Sequence, residues 1–215
     1  MEYVLMDLDG TITNPKEGIT KCFQYALHHF GVDVEDLDSL CEYIGPPLLD
    51  SFRKGFGFSE EKAREAAAKY RERFVTEGWK ENLVYPGMEE ALQKLKESGK
   101  ILIVATSKPE VLAVRILQHF GLDGYFDDIC GADDDQHRSR KDEVIRYALQ
   151  RHELTELQEV IMVGDRKYDI LGAKACGVSS MGVPYGFGDR AELQEAGADY
   201  LAESVPDMAE QLVFC

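Results

Sequence analysis

One short segment, Lys100-Ile101-Leu102-Ile103-Val104-Ala105, is almost entirely apolar and lies between two segments with helical patterns. A continuous apolar run of this length is typical of a strand buried on both faces of a parallel sheet. Residues 88–98 predict a helix that Gly99 ends, and the next helix begins at Pro109 and ends at Gly121. This order of elements predicts a β-α-β unit.

The alternation of buried strands and helices continues over most of the chain. Strands are also predicted at 3–7, around Ile129, at 159–163 and at 178–183, and helices at 139–152, 168–176, 189–196 and 205–213. Such alternation indicates parallel β-α-β units with helices on both faces of one sheet. We therefore predict an α/β fold with a Rossmann-like parallel sheet as its core.

Residues 14–83 interrupt this alternation because every longer pattern in them is helical. Helical periodicity covers about 18–30, 35–43, 47–54 and 59–78. Ser59 is a candidate N-cap for the last of these helices, since acidic residues follow it in the first turn. We therefore predict a core of residues 1–13 and 84–215 and an inserted, all-helical domain of residues 14–83, placed above the carboxyl edge of the sheet.

The charge of the chain argues against two classes of partner. Its 215 residues include 24 Lys and Arg against 40 Asp and Glu, which gives a formal net charge of −16. Nucleic acids and anionic membrane surfaces are bound by an excess of Lys and Arg, which this chain lacks. We expect neither partner, although a local cation could still attract an anionic substrate. The composition leaves the oligomeric state open.

The sequence also indicates a location. Its longest uninterrupted apolar run, 101–105, is far shorter than the roughly 20 residues of a membrane span. The first seven residues lack the basic start of a signal peptide. Five scattered cysteines, at positions 22, 41, 130, 176 and 215, form no C-x-x-C pair, which is typical of a reducing compartment. We therefore expect the protein to be cytoplasmic.

Polar side chains follow the predicted strands at the points where these strands end. They are Asp7, Asp9, Thr106, Ser107, Asp165 and Asp169, and Lys141 begins a helix after an irregular segment. Open α/β sheets bind their ligands at this carboxyl edge. Carboxylates that converge there repel one another unless a cation lies among them, and oxygen ligands of this kind suit Mg²⁺.

This set of side chains fits the chemistry of phosphoryl transfer. A hydroxyl and a lysine could hold phosphoryl oxygens, one aspartate could attack phosphorus, and another could serve as acid and base. Gly10 lets the chain turn sharply after the first two carboxylates.

Four motifs, in this order, resemble those of the haloacid dehalogenase-like hydrolase superfamily. They are Asp-Leu-Asp-Gly-Thr at 7–11, Ala-Thr-Ser-Lys-Pro at 105–109, Lys141, and Gly-Asp-x-x-x-Asp at 164–169. The helical insertion resembles the C1 class of cap domains in that superfamily. Within it, the chain is most similar to the phosphoglycolate phosphatase-like group, and there to the bacterial 5′-nucleotidase-like branch.

The resemblance implies roles for the four aspartates. Asp7 would be the nucleophile that forms an aspartyl-phosphate, and its other oxygen would bind Mg²⁺. Asp9 would protonate the leaving oxygen and then activate water, with its backbone carbonyl facing the metal. Asp165 would bind Mg²⁺, directly or through water, and Asp169 would orient the site.

The resemblance also implies a set of residues that bind the substrate. Thr106 would donate a hydrogen bond to the phosphoryl group, beside Gly10 and Ser107. Lys141 would neutralise the charge of the nucleophile and the phosphoryl group, and it would pair with Asp169.

Three residues of the helical insertion are candidates for substrate selection. The turn at Gly45 lies where this class of cap carries its specificity loop, and a simple turn between helices is the alternative. Arg53 and Lys54 could reach the distal part of a substrate, or they could be exposed charges with no such role.

The substrate and the reaction class stay open at this point. The resemblance implies a small organic phosphate, with a 5′-nucleotide first and phosphoglycolate or aryl (tyrosine) phosphates as alternatives. A capped phosphomutase would keep Asp7 and Asp9 and would move phosphate between two positions of one sugar. A two-component receiver domain also combines acids with Thr and Lys, but it lacks Asp-x-Asp-Gly-Thr and a helical insertion.

A further glycine pattern, Gly186-x-Gly188-x-x-Ala191, superficially fits a dinucleotide-binding fingerprint. It does not follow the first strand, and Pro184 separates it from the strand before it. We interpret it as a loop that leads into a helix capped by Asp189.

Overall fold

The chain divides into two compact units in a computed structural model that describes residues 1–133 and 138–215. The core unit consists of Met1–Asn14 and Val84–Cys215, and the helical unit consists of Pro15–Leu83. None of the helices in the described ranges has the length and apolar character that crossing a bilayer requires.

The helical unit is formed by segments that predict helices in the sequence. Its α-helices are α1 (Lys16–His29), α2 (Leu48–Asp50) and α3 (Glu60–Arg73). Ser59 caps α3, because its side chain accepts a hydrogen bond from the Lys62 N–H at 3.3 Å. The predicted N-cap is therefore confirmed.

Three predicted helical stretches are less regular than expected. Leu37–Tyr43 forms a 3₁₀-helix, and π-helical turns follow α2 at Ser51–Gly55 and α3 at Phe74–Gly78. At the first of these stretches, the Asp36 side chain accepts the N–H of Asp38, and Ser39 donates to the Asp36 carbonyl. Short polar side chains that bond their own backbone in this way compete with an α-helix.

The core unit is built on a parallel sheet. The strands of the chain are β1 (Tyr3–Met6), β2 (Thr13–Asn14), β3 (Leu83–Val84), β4 (Ile101–Pro109), β5 (Asp128–Ala132), β6 (Val160–Gly164), β7 (Ser179–Gly182) and β8 (Tyr200–Leu201). Six of them form one sheet in the order β5-β4-β1-β6-β7-β8, with every neighbouring pair parallel. Strands β2 and β3 form a separate two-stranded sheet. The predicted α/β parallel core is confirmed.

Helices alternate with these strands along the core unit. They are α4 (Met88–Glu97), α5 (Glu110–His119), α6 (Lys141–Arg151), α7 (Lys167–Cys176), α8 (Arg190–Ala196) and α9 (Val205–Phe214). Val4, Leu5 and Met6 are consecutive in β1 and all buried, so both faces of the sheet are covered. On one face, Leu5 packs in a cluster with residues of α6 and α7, among them Val144 and Ala173.

The strand order reverses at β1, which determines where the sheet offers a ligand site. The chain adds β4 and β5 on one side of β1 and later adds β6, β7 and β8 on the other. In open α/β sheets, the crevice at the carboxyl ends beside such a reversal binds ligands. Asp7 is the residue directly after β1 and therefore lies at this point.

Candidate active site

Asp7 is held firmly at the carboxyl edge of the sheet. Its N–H donates to the Val163 carbonyl at 2.9 Å, which continues the pairing of β1 with β6. Its Oδ1 accepts the Leu8 N–H at 2.8 Å and lies 2.8 Å from Lys141 Nζ. These contacts fix the orientation of a buried carboxylate.

Lys141 bridges two of the carboxylates. Its Nζ lies 2.8 Å from Asp7 Oδ1 and 2.8 Å from Asp169 Oδ1, and it donates to the Ala105 carbonyl at 3.0 Å. Burial lowers the pKa of Lys141, but the negative charges of Asp169 and Asp7 raise it by a larger amount. The pKa therefore lies above its usual value. Gly172 in α7 leaves room for the Lys141 stem, since a Cβ there would be 2.9 Å from Lys141 Cγ.

Asp165 and Asp169 approach the site from β6 and α7. Asp169 Oδ2 accepts the Arg166 N–H at 3.0 Å, a bond that closes the first turn of α7. Asp165 Oδ2 accepts the Phe187 N–H at 2.7 Å. Burial raises the pKa of Asp165 well above its usual value, and the nearby charges of Asp169 and Asp7 raise it further.

The loop between β7 and α8 closes over Asp165. A Cβ on Gly186 would lie 2.3 Å from both Asp165 Cβ and the Gly10 carbonyl oxygen, and one on Gly188 would lie 2.1 Å from the Asp165 carbonyl oxygen. The interpretation of this segment as a loop that caps a helix is confirmed, because the Asp189 side chain accepts the Glu192 N–H at 2.8 Å. The close packing of this loop against Asp165 has no signature in the sequence.

The carboxylates fit a divalent cation. Asp7, Asp165 and Asp169 each offer an oxygen, and these oxygens all lie within 4.8 Å of one another. Asp165 Oδ1 is buried and has no hydrogen-bond partner among the described residues. With Asp9 included, four acidic side chains face the amines of Lys141 and Lys108, an excess of two negative charges when all four acids are ionised. An oxygen-only donor set with this charge suits Mg²⁺.

Asp9 differs from the other three carboxylates in its partner. Its Oδ2 contacts Lys108 Nζ, and its Oδ1 is buried without a hydrogen-bond partner among the described residues. Burial raises the pKa of Asp9, although Lys108 lowers it in part. Lys108 belongs to the Ala-Thr-Ser-Lys-Pro motif at 105–109, but the sequence alone indicates no role for it.

The remaining core candidates lie next to these carboxylates. Gly10 has a φ of 83°, and a Cβ there would lie 2.1 Å from Asp165 Oδ2, so only glycine fits. Thr106 is buried, and its Oγ1 accepts the Lys108 N–H at 3.2 Å. Ser107 follows it in β4 and is half-buried.

The three other candidates belong to the helical unit. Gly45 has a φ of 103° and follows the 3₁₀-helix at Leu37–Tyr43. Arg53 and Lys54 lie in the π-helical turn after α2 and are exposed, and Lys54 Nζ pairs with Asp50 at 2.9 Å. A role of these residues toward a substrate stays a prediction.

Comparisons with known proteins cover the whole site. The family model described as haloacid dehalogenase-like hydrolase matches residues 4–183, a range that contains every core candidate. A 5′-nucleotidase of Pseudomonas aeruginosa is 47% identical over 191 residues, which cover 89% of this chain and 86% of that protein. The tyrosine-protein kinase PtkA of Mycobacterium tuberculosis is 40% identical over 189 residues, 87% of this chain but only 63% of that longer protein.

A solved structure extends the similarity to the complete fold. It is described as that of a predicted phosphatase from Clostridium acetobutylicum, and it superposes with a TM-score of 0.97 at 46% identity. The match covers 100% of this chain and 99% of the other.

Proposed function

The chain belongs to the haloacid dehalogenase-like hydrolase family, and on this premise we propose that it is a Mg²⁺-dependent phosphomonoesterase that acts through an aspartyl-phosphate on Asp7. The observation that carries the proposal is the position of Lys141. Its amine bridges Asp7 and Asp169 at 2.8 Å, while Asp165 completes a group of carboxylates suited to a cation. A buried nucleophile of this kind needs both a fixed orientation and compensation of its charge.

In the first half of the reaction, an oxygen of Asp7 attacks phosphorus. The new bond joins Asp7 to the phosphoryl group, the ester P–O bond breaks, and Asp9 gives its proton to the leaving oxygen. The raised pKa of Asp9 favours the protonated form that this step requires. In this proposal, Lys141 and Thr106 hold the phosphoryl oxygens.

In the second half, water replaces Asp7 on phosphorus. Asp9 takes a proton from the water while the oxygen of that water bonds to phosphorus, and the bond between Asp7 and phosphorus breaks. Mg²⁺, held by Asp7, the Asp9 carbonyl and Asp165, would supply positive charge that offsets the negative charge of the phosphoryl oxygens. Asp169 keeps Lys141 in place through both halves.

We assign a small phosphate ester as the substrate, with nucleoside 5′-monophosphates first. The 47% identity with a protein named 5′-nucleotidase supports this choice. The test is kcat/KM with Mg²⁺ for nucleoside 5′-monophosphates, phosphoglycolate, a phosphotyrosine ester and a hexose phosphate. We expect phosphate release with the nucleotides to be fastest. No release from any ester, or transfer of phosphate within the sugar, would contradict the proposal.

Substitution of Gly186 is expected to weaken Mg²⁺ binding. In Gly186→Ala, the new Cβ would lie 2.3 Å from the Cβ of Asp165, which is too close, so Asp165 would be displaced. Loss of such support around a ligand costs about 10- to 100-fold in metal affinity. Titration calorimetry with Mg²⁺ measures this loss in the absence of substrate. Gly124→Ala is the matched control, because a Cβ there meets nothing within 4 Å, and unchanged affinity in Gly186→Ala would contradict the prediction.

The helical unit is proposed to act as a cap that selects small esters. Closing a cap over the carboxyl edge would exclude water and leave no room for a folded protein. We therefore expect nucleoside 5′-monophosphates to be hydrolysed far faster than a phosphorylated folded protein. Substitutions at Gly45, Arg53 or Lys54 should change KM more than kcat. A phosphoprotein preferred over every small ester, with no effect of these substitutions, would rule out the cap role.

A further inference from the structure

A second lysine of the core unit, Lys108, contacts one carboxylate of the site. Its Nζ pairs with Asp9 Oδ2, and the two side chains are only 7% and 15% exposed. Lys141 is already bonded to Asp7, Asp169 and the Ala105 carbonyl. The two lysines therefore contact different acids. Lys141 contacts the proposed nucleophile, Asp7, and Lys108 contacts the proposed acid–base residue, Asp9.

An irregularity in β4 brings Lys108 to this position. Pairing with β5 is regular up to Ala105 opposite Cys130, and it then shifts so that Pro109 lies opposite Ala132. Extra residues in a strand re-aim side chains, and such bulges are frequent next to active sites. Gly131 permits the irregularity, since a Cβ there would lie 2.7 Å from the Lys108 carbonyl oxygen.

Two hydrogen bonds hold the backbone around Lys108. The Lys108 N–H donates to Thr106 Oγ1 at 3.2 Å, and the Gly131 N–H donates to the side chain of Glu110 at 3.2 Å. The amine of Lys108 that contacts Asp9 is therefore carried by a segment whose backbone is held by hydrogen bonds. Because Lys108 engages Oδ2, the buried Oδ1, which has no hydrogen-bond partner among the described residues, is the oxygen left for proton exchange.

We propose that Lys108 is a positioning residue for Asp9: it holds Oδ2 so that Oδ1 gives its proton to the leaving oxygen and later accepts one from water. The inference rests on the proposed phosphatase function. It assigns Lys108 to proton transfer, whereas Lys141 serves the nucleophile. A loss of Lys108 should then matter most for substrates whose leaving group needs a proton.

The test compares wild type with Lys108→Met on nitrophenyl, phenyl and alkyl phosphates, in the presence of Mg²⁺. These leaving groups are increasingly basic, and kcat/KM reports the step that transfers phosphate to Asp7. We expect little loss on nitrophenyl phosphate and a loss of about 10²-fold or more on alkyl phosphates, the scale of general acid catalysis. Lys108→Arg, which keeps the positive charge, should recover part of the alkyl phosphate activity.

A double mutant makes the test specific to the contact between Lys108 and Asp9. If Lys108 acts through Asp9, adding Lys108→Met to Asp9→Asn should cause no further loss, because residues that work as one unit are not additive. Lys96→Met is the control. Lys96 pairs with Asp127, which binds the Leu102 N–H near the start of β4, at the opposite end of the strand. Its kcat/KM should equal that of wild type for every ester.

The outcomes separate this inference from the proposed function. An equal loss on all three esters, additive with Asp9→Asn, would mean that Lys108 binds the phosphoryl group, and it would overturn the inference. Full alkyl phosphate activity in Lys108→Met would overturn it as well. If Lys108→Met fails to fold by circular dichroism, Lys108→Gln is carried through the same comparison. Wild type that hydrolyses none of the esters would instead reject the phosphatase proposal.

Discussion

Asp7→Asn is expected to abolish phosphate release while the protein stays folded. The amide has the size of the carboxylate, but it is a poor nucleophile and carries no charge toward a cation. Removing the nucleophile of a covalent hydrolase lowers kcat by about 10⁶-fold. Lys141 keeps its contact with Asp169 at 2.8 Å in this variant, so the melting temperature should change little. Steady-state release of inorganic phosphate measures the loss.

A second readout addresses the covalent step itself. Rapid mixing of wild type with an aryl phosphate should give a burst of phenol equal to the enzyme concentration if hydrolysis of the aspartyl-phosphate is slower than its formation. Asp7→Asn should give no burst. Asp127→Asn, which changes a carboxylate paired with Lys96 outside the site, should behave as wild type. Turnover near the wild-type rate in Asp7→Asn would show that Asp7 is not the nucleophile.

Removal of Mg²⁺ is the second change with a very large expected effect. Without a cation, the acidic side chains of Asp7, Asp9, Asp165 and Asp169 outnumber the two lysines that face them, and a phosphate ester would add negative charge. A bound metal contributes several kcal/mol to charge stabilisation in such reactions. Excess EDTA should therefore lower kcat/KM by about 10³-fold or more, given that 1.36 kcal/mol corresponds to tenfold. Adding Mg²⁺ back should restore the rate.

The same cation should stabilise the fold, and this can be measured without substrate. A ligand that binds only the folded state at 100 times its Kd raises the free energy of unfolding by about 2.7 kcal/mol. We expect Mg²⁺ to raise the melting temperature of wild type and to have a smaller effect on Asp165→Asn. Full activity in excess EDTA, together with a melting temperature that Mg²⁺ does not change, would exclude a metal at this site.

The sequence predicted the regular parts of the core well because burial on both faces leaves a clear pattern. Two examples are the strand around Ile103 and the helix α5, which ends at His119, two residues before the glycine predicted to end it. The end of β4 was not predicted, since the strand continues to Pro109 through an irregular pairing that the pattern of apolar residues does not encode. In the helical unit, the 3₁₀ and π-helical turns also have no periodic pattern that separates them from α-helix.

The sequence predicts the site residues whose chemistry belongs to the side chain itself. It does not predict the backbone and tertiary contacts that support them. Asp7, Asp165, Asp169 and Lys141 stand in recognisable motifs. The structure places oxygens of the three carboxylates within 4.8 Å of one another and Lys141 Nζ at 2.8 Å from Asp7 and Asp169. The support of Asp165 by the Phe187 N–H comes from the backbone and has no residue signature. The contact of Lys108 with Asp9 depends on the path of β4, which only tertiary structure defines.

The central place of β1 in the sheet has a consequence for the order of folding. β1 comes first in the chain, yet its partners begin at Ile101 and Val160, so its pairing requires closure of very long loops. Contacts of such sequence separation slow folding, and the pairing of β1 with β6 cannot form until the residues up to Val163 are synthesised. Asp7 therefore meets Asp165 and Lys141 only after all of the helical unit and most of the core unit are synthesised, so the site is assembled late.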